Sequence, residues 1–155
     1  MRNSIWAALA LSLAALGPVA CDRAEAPADT SPEAPDGVEV SNGRLMLPAV
    51  GGNPGAVYFD LANNGERDLM IRAASVQGAG STAMHTTEET GMQEILQIMA
   101  KAGETTKFEP GGYHLMANDL AETVVAGGEA EVTVTFVGGD KVSFPAQVRA
   151  AGDER

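Results

Sequence analysis

Glu131-Val132-Thr133-Val134-Thr135-Phe136-Val137 alternates polar and apolar residues with a period of two. In an extended chain that spacing sends successive side chains to opposite faces, so the stretch predicts a half-buried strand. Gly138-Gly139-Asp140 follows as a turn, and Lys141-Val142-Ser143-Phe144 resumes the pattern. Upstream, Ala56-Val57-Tyr58-Phe59-Asp60-Leu61 and Leu69 to Val76 are further β-type runs, separated by the turn signal Asn63-Asn64-Gly65. Gly111-Gly112 and Gly127-Gly128 punctuate the chain again. Short strands at this spacing predict an all-β sandwich or barrel of antiparallel strands over residues 38–150, with 151–155 a short tail. Thr90 to Ala102 has some helical character, but Gly91 and Gly103 bound it closely, so loop and strand are expected there.

The chain has 155 residues, and its N-terminal end does not belong to that domain. Met1-Arg2-Asn3 is a short basic start, and Ile5 to Leu16 is an apolar run too short to cross a hydrocarbon core of about 20 residues. Small residues and the single cysteine, Cys21, come next. Residues 1–21 therefore read as an export signal. Cys21 stands where a bacterial lipoprotein signal places its acylated cysteine, although Pro18 occupies a position where such signals usually have an aliphatic residue. With one cysteine there is no internal disulfide, and acylation would remove an unpaired thiol from an oxidising compartment. Asp22 to Gly37 is rich in Ala, Pro and acids, the composition of a disordered tether. The expectation is a periplasmic domain held to a membrane only through a lipid on Cys21.

Ten basic and 21 acidic side chains give a formal net charge of -11. Residues 1–21 hold one of the basic groups, Arg2, and no acid, so the remainder is more negative still. No basic patch exists to neutralise phosphates, which argues against nucleic acid as a partner.

Outside the signal there are two histidines, His85 and His114, and both lie in a stretch that also holds Met84, Met92, Met99 and Met116. Thioether sulfur with imidazole is a soft ligand set that selects Cu(I). Zinc would want cysteines, or histidines with carboxylates, and calcium an oxygen-rich loop. A single methionine in a β-domain is usually core filling, and a single histidine is usually a surface or hydrogen-bonded group. The pair His114-x-Met116 is more informative. On a strand both side chains share one face, and Pro110-Gly111-Gly112 supplies a tight turn leading into it.

The sequence resembles the PCuAC family of periplasmic copper chaperones over nearly all of residues 38–148. The resemblance is carried by Ala56-Val57-Tyr58-Phe59-Asp60-Leu61-Ala62-Asn63-Asn64-Gly65, by His85 and by Ala102-Gly103-Glu104-Thr105. Its most specific part is Phe108-Glu109-Pro110-Gly111-Gly112-Tyr113-His114-Leu115-Met116. The family motif is a histidine, ten residues, a methionine, twenty-one residues and His-x-Met. Met92, His114 and Met116 fit its second part, whereas only six residues separate His85 from Met92. The resemblance implies a cupredoxin-like fold in which His85, Met92, His114 and Met116 hold one Cu(I) at an exposed site. Met84 or Met99 is the substitute should His85 not reach. It also implies a role in carrying copper towards the CuA centre of cytochrome c oxidase, with oxidase subunit II or a Sco-type protein as partner. The tail Arg149 to Arg155 has no His or Met, so no second copper site of the C-terminal kind is expected.

Other functions fit less well. A blue-copper protein needs a cysteine in the domain, and Cys21 lies outside it. No nucleophile elbow, zinc-protease motif or phosphate loop is present, so no enzyme is expected. A structural or adhesive lipoprotein with packed methionines is the remaining alternative.

Overall fold

The computed structural model describes residues 34–153. The export signal and the tether up to residue 33 lie outside the described residues, as do the last two residues. The described residues form ten strands and no helix. They are β1 (Val38–Met46), β2 (Gly55–Asn63), β3 (Leu69–Val76), β4 (Ser81–Glu88) and β5 (Gly91–Glu94), then β6 (Ile98–Ala100), β7 (Thr105–Phe108), β8 (Tyr113–Asn118), β9 (Glu129–Phe136) and β10 (Lys141–Arg149). All ten join one sheet in the order β5-β4-β8-β7-β2-β1-β10-β9-β3-β6. The sheet curls into a half-barrel that brings β3 against β4, consistent with a cupredoxin-like all-β fold.

The alternating stretch is β9. Ala130, Val132, Val134 and Phe136 are buried on its inner face, and it pairs with β10 on one side and β3 on the other. Val137 falls just past the strand and is exposed. β2 alternates in the same way, burying Val57, Phe59 and Leu61. Residues 90–102 form two short strands, as the bounding glycines suggest. The sheet is mixed rather than wholly antiparallel, because β1 runs parallel to β10. Those strands are the first and last of the domain, so no hairpin constrains their relative direction.

Three phenylalanines anchor the core. Phe59 and Phe108 stack with centroids 4.0 Å apart, and Phe144 lies tilted against Phe59 at 4.8 Å. The one buried amide in the described residues is Asn63, and its side chain is fully used. Its Nδ2 donates to the carbonyls of Arg67 (2.8 Å) and Ala100 (2.9 Å), and its Oδ1 accepts from the Gly65 amide. It ties the β2–β3 turn to the end of β6. Pro35 to Gly37 forms a turn beside it: the Val38 amide donates to Pro35 and the Asn64 amide to Gly37.

Candidate metal centre

β7 and β8 both run antiparallel to β2, and they occupy successive parts of it. Phe108 on β7 is opposite Phe59, and Leu115 on β8 is opposite Val57. Residues 109–114 are thus an excursion inserted into what would otherwise be one long strand. Pro110 and Gly111 make the excursion possible, the glycine at φ 84°, and the Gly112 amide closes it by donating to the Glu109 carbonyl (3.0 Å). His114 stands at the downstream end of this excursion.

β8 also pairs along its full length with β4, with His85 directly opposite His114 and Ala83 opposite Met116. Leu115 and its cross-strand partner Met84 face the core, and both are buried. By the pleat, His114, Met116 and His85 therefore face the opposite way. Met116 lies between Ala56 on β2 and Ala83 on β4, whose small side chains leave its thioether room.

The chain reverses after β4 through Glu89-Thr90, and β5 folds back with Thr87 opposite Met92 and His85 opposite Glu94. Thr87 shares the face of His85, so Met92 does too. The short His85–Met92 spacing is absorbed by this tight hairpin. As a result Met92 Sδ lies 3.1 Å from His114 Nε2. The other ring nitrogen of His114, Nδ1, is 3.0 Å from the Gly112 carbonyl, which also accepts the Thr87 amide at 3.1 Å. Donation from Nδ1 to that carbonyl fixes the tautomer and leaves the Nε2 lone pair facing the methionine sulfur.

The two imidazoles lie 5.8 Å apart between centroids, inclined at 28°. His85 Nδ1 is buried with no hydrogen-bond partner. A buried polar atom without a partner is costly, and a bound metal ion is one way to use such an imidazole. Tyr58 packs against His114 on its β2 side (6.3 Å between centroids), and the Arg44 guanidinium lies over the Tyr58 ring at 5.0 Å.

His85, Met92, His114 and Met116 thus gather on one face of three adjacent strands. The two substitutes considered from sequence do not join them. Met84 points into the core at 5% exposure, and Met99 lies on β6, opposite Met70 at the other margin of the sheet. The site is also less open than "exposed" suggests. His114 is 6% exposed, and access comes through Met92, at 54%. Tyr58, Arg44 and the Gly112 carbonyl were not singled out from sequence. The Tyr58 alternation was the available sign, since its β2 neighbours Val57 and Phe59 claim the core face.

The donor set is two neutral nitrogens and two thioethers. Among the described residues no three His, Cys, Asp or Glu side chains converge as a metal cluster. The residues present fit a soft monovalent ion.

A family model described as "Putative lipoprotein LpqE-like" matches residues 38–148. A protein of Leifsonia xyli subsp. xyli (strain CTCB07) named "Putative lipoprotein Lxx21020" is 30% identical over 119 residues, covering 74% of this chain and 70% of the relative. Among solved structures, "Copper-bound PCuAC domain from PmoF2" superimposes with a TM-score of 0.64 at 20% identity, covering 74% of this chain and 93% of that one. "Apo PCuAC domain from PmoF1" gives 0.64 at 22%, covering 74% and 94%. "Solution structure of CuI-DR1885 from Deinococcus Radiodurans" gives 0.56 at 22%, covering 83% and 85%. At these identities the likeness establishes a shared fold, that of PCuAC domains.

Proposed function

Since the chain belongs to the LpqE-like family, we propose that it is an exported, lipid-anchored copper chaperone that binds one Cu(I) through His85, Met92, His114 and Met116. The observation that carries this reading is the Met92–His114 approach, with Nδ1 of the histidine tied back to Gly112 and two further soft donors on the same face. The copper-bound state named for two structures of the same fold supports the choice of metal. Neutral thioethers and imidazoles favour the monovalent ion and need no thiolate, which suits an oxidising compartment such as the periplasm.

The protein acts as a carrier and not as an enzyme. A ligand on the rim, Met92, gives an acceptor access to the ion for ligand exchange. The acceptor we favour is cytochrome c oxidase subunit II or a Sco-type protein, on the route to the CuA centre, a role that rests on the PCuAC resemblance. Tethering through Cys21 would hold the domain near membrane-bound acceptors.

An anaerobic Cu(I) titration against a competing chelator tests the proposal, using the parent protein and the variant His114→Ala/Met116→Ala. Binding of one equivalent in the parent, lost or much weakened in the variant, supports it. Equal behaviour of the two would leave a structural or adhesive lipoprotein with packed methionines.

A further inference from the structure

The margin of the sheet beside the metal centre is open. β5 is the terminal strand in the sheet order, and all four of its residues are exposed. Its hydrogen-bonding sense follows from the register. The Ile95 amide donates to Met84 at 2.8 Å, and antiparallel ladders alternate between bonded and non-bonded pairs. Gln93–Thr86 and Gly91–Glu88 are then the bonded pairs, and Met92–Thr87 and Glu94–His85 the non-bonded ones. On the other side of β4 the Thr87 amide bonds to Gly112, as this alternation requires. The backbone N–H and C=O groups of Met92 and Glu94 therefore point away from β4, toward the open margin.

Such an edge is a template for another strand, and proteins usually blunt it with proline, bulges or charge. β5 has no proline, and its one charged residue, Glu94, lies on the same face as Met92. The hairpin tip adds Glu88 and Glu89.

We propose that the acceptor docks here as an added β-strand, through an extended segment carrying a Met or His with a basic residue two positions away. The inference rests on the copper-transfer reading. A residue of the incoming strand opposite Met92 would share its face, with Cβ atoms about 5.5 Å apart or less, within reach of an ion held by Met92. The residue two positions along would meet Glu94, which favours Lys or Arg. Main-chain bonds supply affinity and alternate side chains supply specificity, as in other strand-addition complexes. Transfer would then begin by ligand exchange at constant oxidation state: a bond from copper to the incoming thioether or imidazole forms as the bond to Met92 Sδ breaks. The bonds to His85, His114 and Met116 break in turn as further acceptor donors replace them.

The probe is a synthetic ten-residue peptide of alternating Thr and Val with one Lys-x-Met, added to the full protein. With metal-free protein, the peptide should slow hydrogen exchange at the Met92 and Glu94 amides. N-methylation of the peptide amides that face β5 should abolish that protection, and methylation of the alternate amides should not. With Cu(I)-loaded protein, Glu94→Pro removes an outward donor together with the carboxylate that would meet the basic residue, and spares the β4–β5 ladder. It should slow copper transfer to the peptide at least tenfold while chelator titration gives a Cu(I) affinity within twofold of the parent. Equal sensitivity to both methylation patterns would overturn the proposal, as would unchanged transfer from the variant, or a β5-mediated dimer in sedimentation that already covers the edge. Failure of the parent to bind Cu(I) would instead sink the functional reading, and the exchange measurement on metal-free protein would still decide whether the edge accepts a strand.

Discussion

Met84 and Met92 lie on either side of the β4–β5 turn, and the structure gives them opposite roles. Met84 is 5% exposed and faces the core beside Leu115, whereas Met92 is 54% exposed on an edge strand. Met84→Ala deletes Cγ, Sδ and Cε from a packed interior, which costs about 2–4 kcal/mol in transfer and cavity terms together. For a folded unit of this size that lowers Tm by about 6–15 °C. The donors on the other face stay in place, so the folded variant should bind Cu(I) within about twofold of the parent. Met92→Ala should do the reverse. Its side chain is largely solvated, so stability should change by about 0.5 kcal/mol or less. Loss of a thioether should weaken Cu(I) binding by at least about tenfold, equivalent to about 1.4 kcal/mol. Thermal unfolding of the metal-free proteins and an anaerobic chelator competition, run side by side, measure both quantities. The assignment of faces fails if Met84→Ala loses copper while still folded, or if Met92→Ala binds copper like the parent.

Asn63→Ala removes two donors and an acceptor from a buried network, so urea unfolding should show a loss of about 2–4 kcal/mol; a loss below about 1 kcal/mol would contradict the network's role. Imidazole must be neutral to bind a metal, so protons compete with Cu(I), and affinity should fall as pH drops. A flat profile in the chelator assay would argue against histidine ligation. Cys21→Ser should move the protein from the membrane fraction to the soluble fraction of cells, and an unchanged distribution would exclude a lipid on that cysteine.

The strands that could be read from sequence are those with one face in the core and one in solvent. β9 and β2 show this, because burying Val132, Val134 and Phe136, or Val57, Phe59 and Leu61, forces the alternation into the sequence. β1 was less legible for a definite reason. A bulge between Ser41 and Arg44, with Asn42 at φ 57°, shifts the parity, so that Val38 and Val40 precede it in one phase and Leu45 follows in the other. β5 carries no alternation at all, since neither face is buried. Its existence is dictated by pairing with β4, a long-range fact that local pattern does not contain.

The candidate metal centre divides along the same line. His114 and Met116 are two residues apart on one strand, so their shared face follows from the pleat alone. Whether Met92 joins them depends on the turn. In the β4–β5 hairpin, paired residues differ by an odd number, as in Glu88–Gly91 and His85–Glu94, so an odd separation keeps two residues on one face. His85 and Met92 are seven apart. The PCuAC spacing of ten intervening residues also gives an odd separation, and it is longer by four. Four residues can leave a hairpin as whole cross-strand pairs without turning either strand over. The contraction therefore alters reach and not facing. Reach is recovered by the side chain: Met92 sits one alternate position beyond the row of His85 and His114, and its flexible thioether spans the diagonal to bring Sδ to 3.1 Å from Nε2.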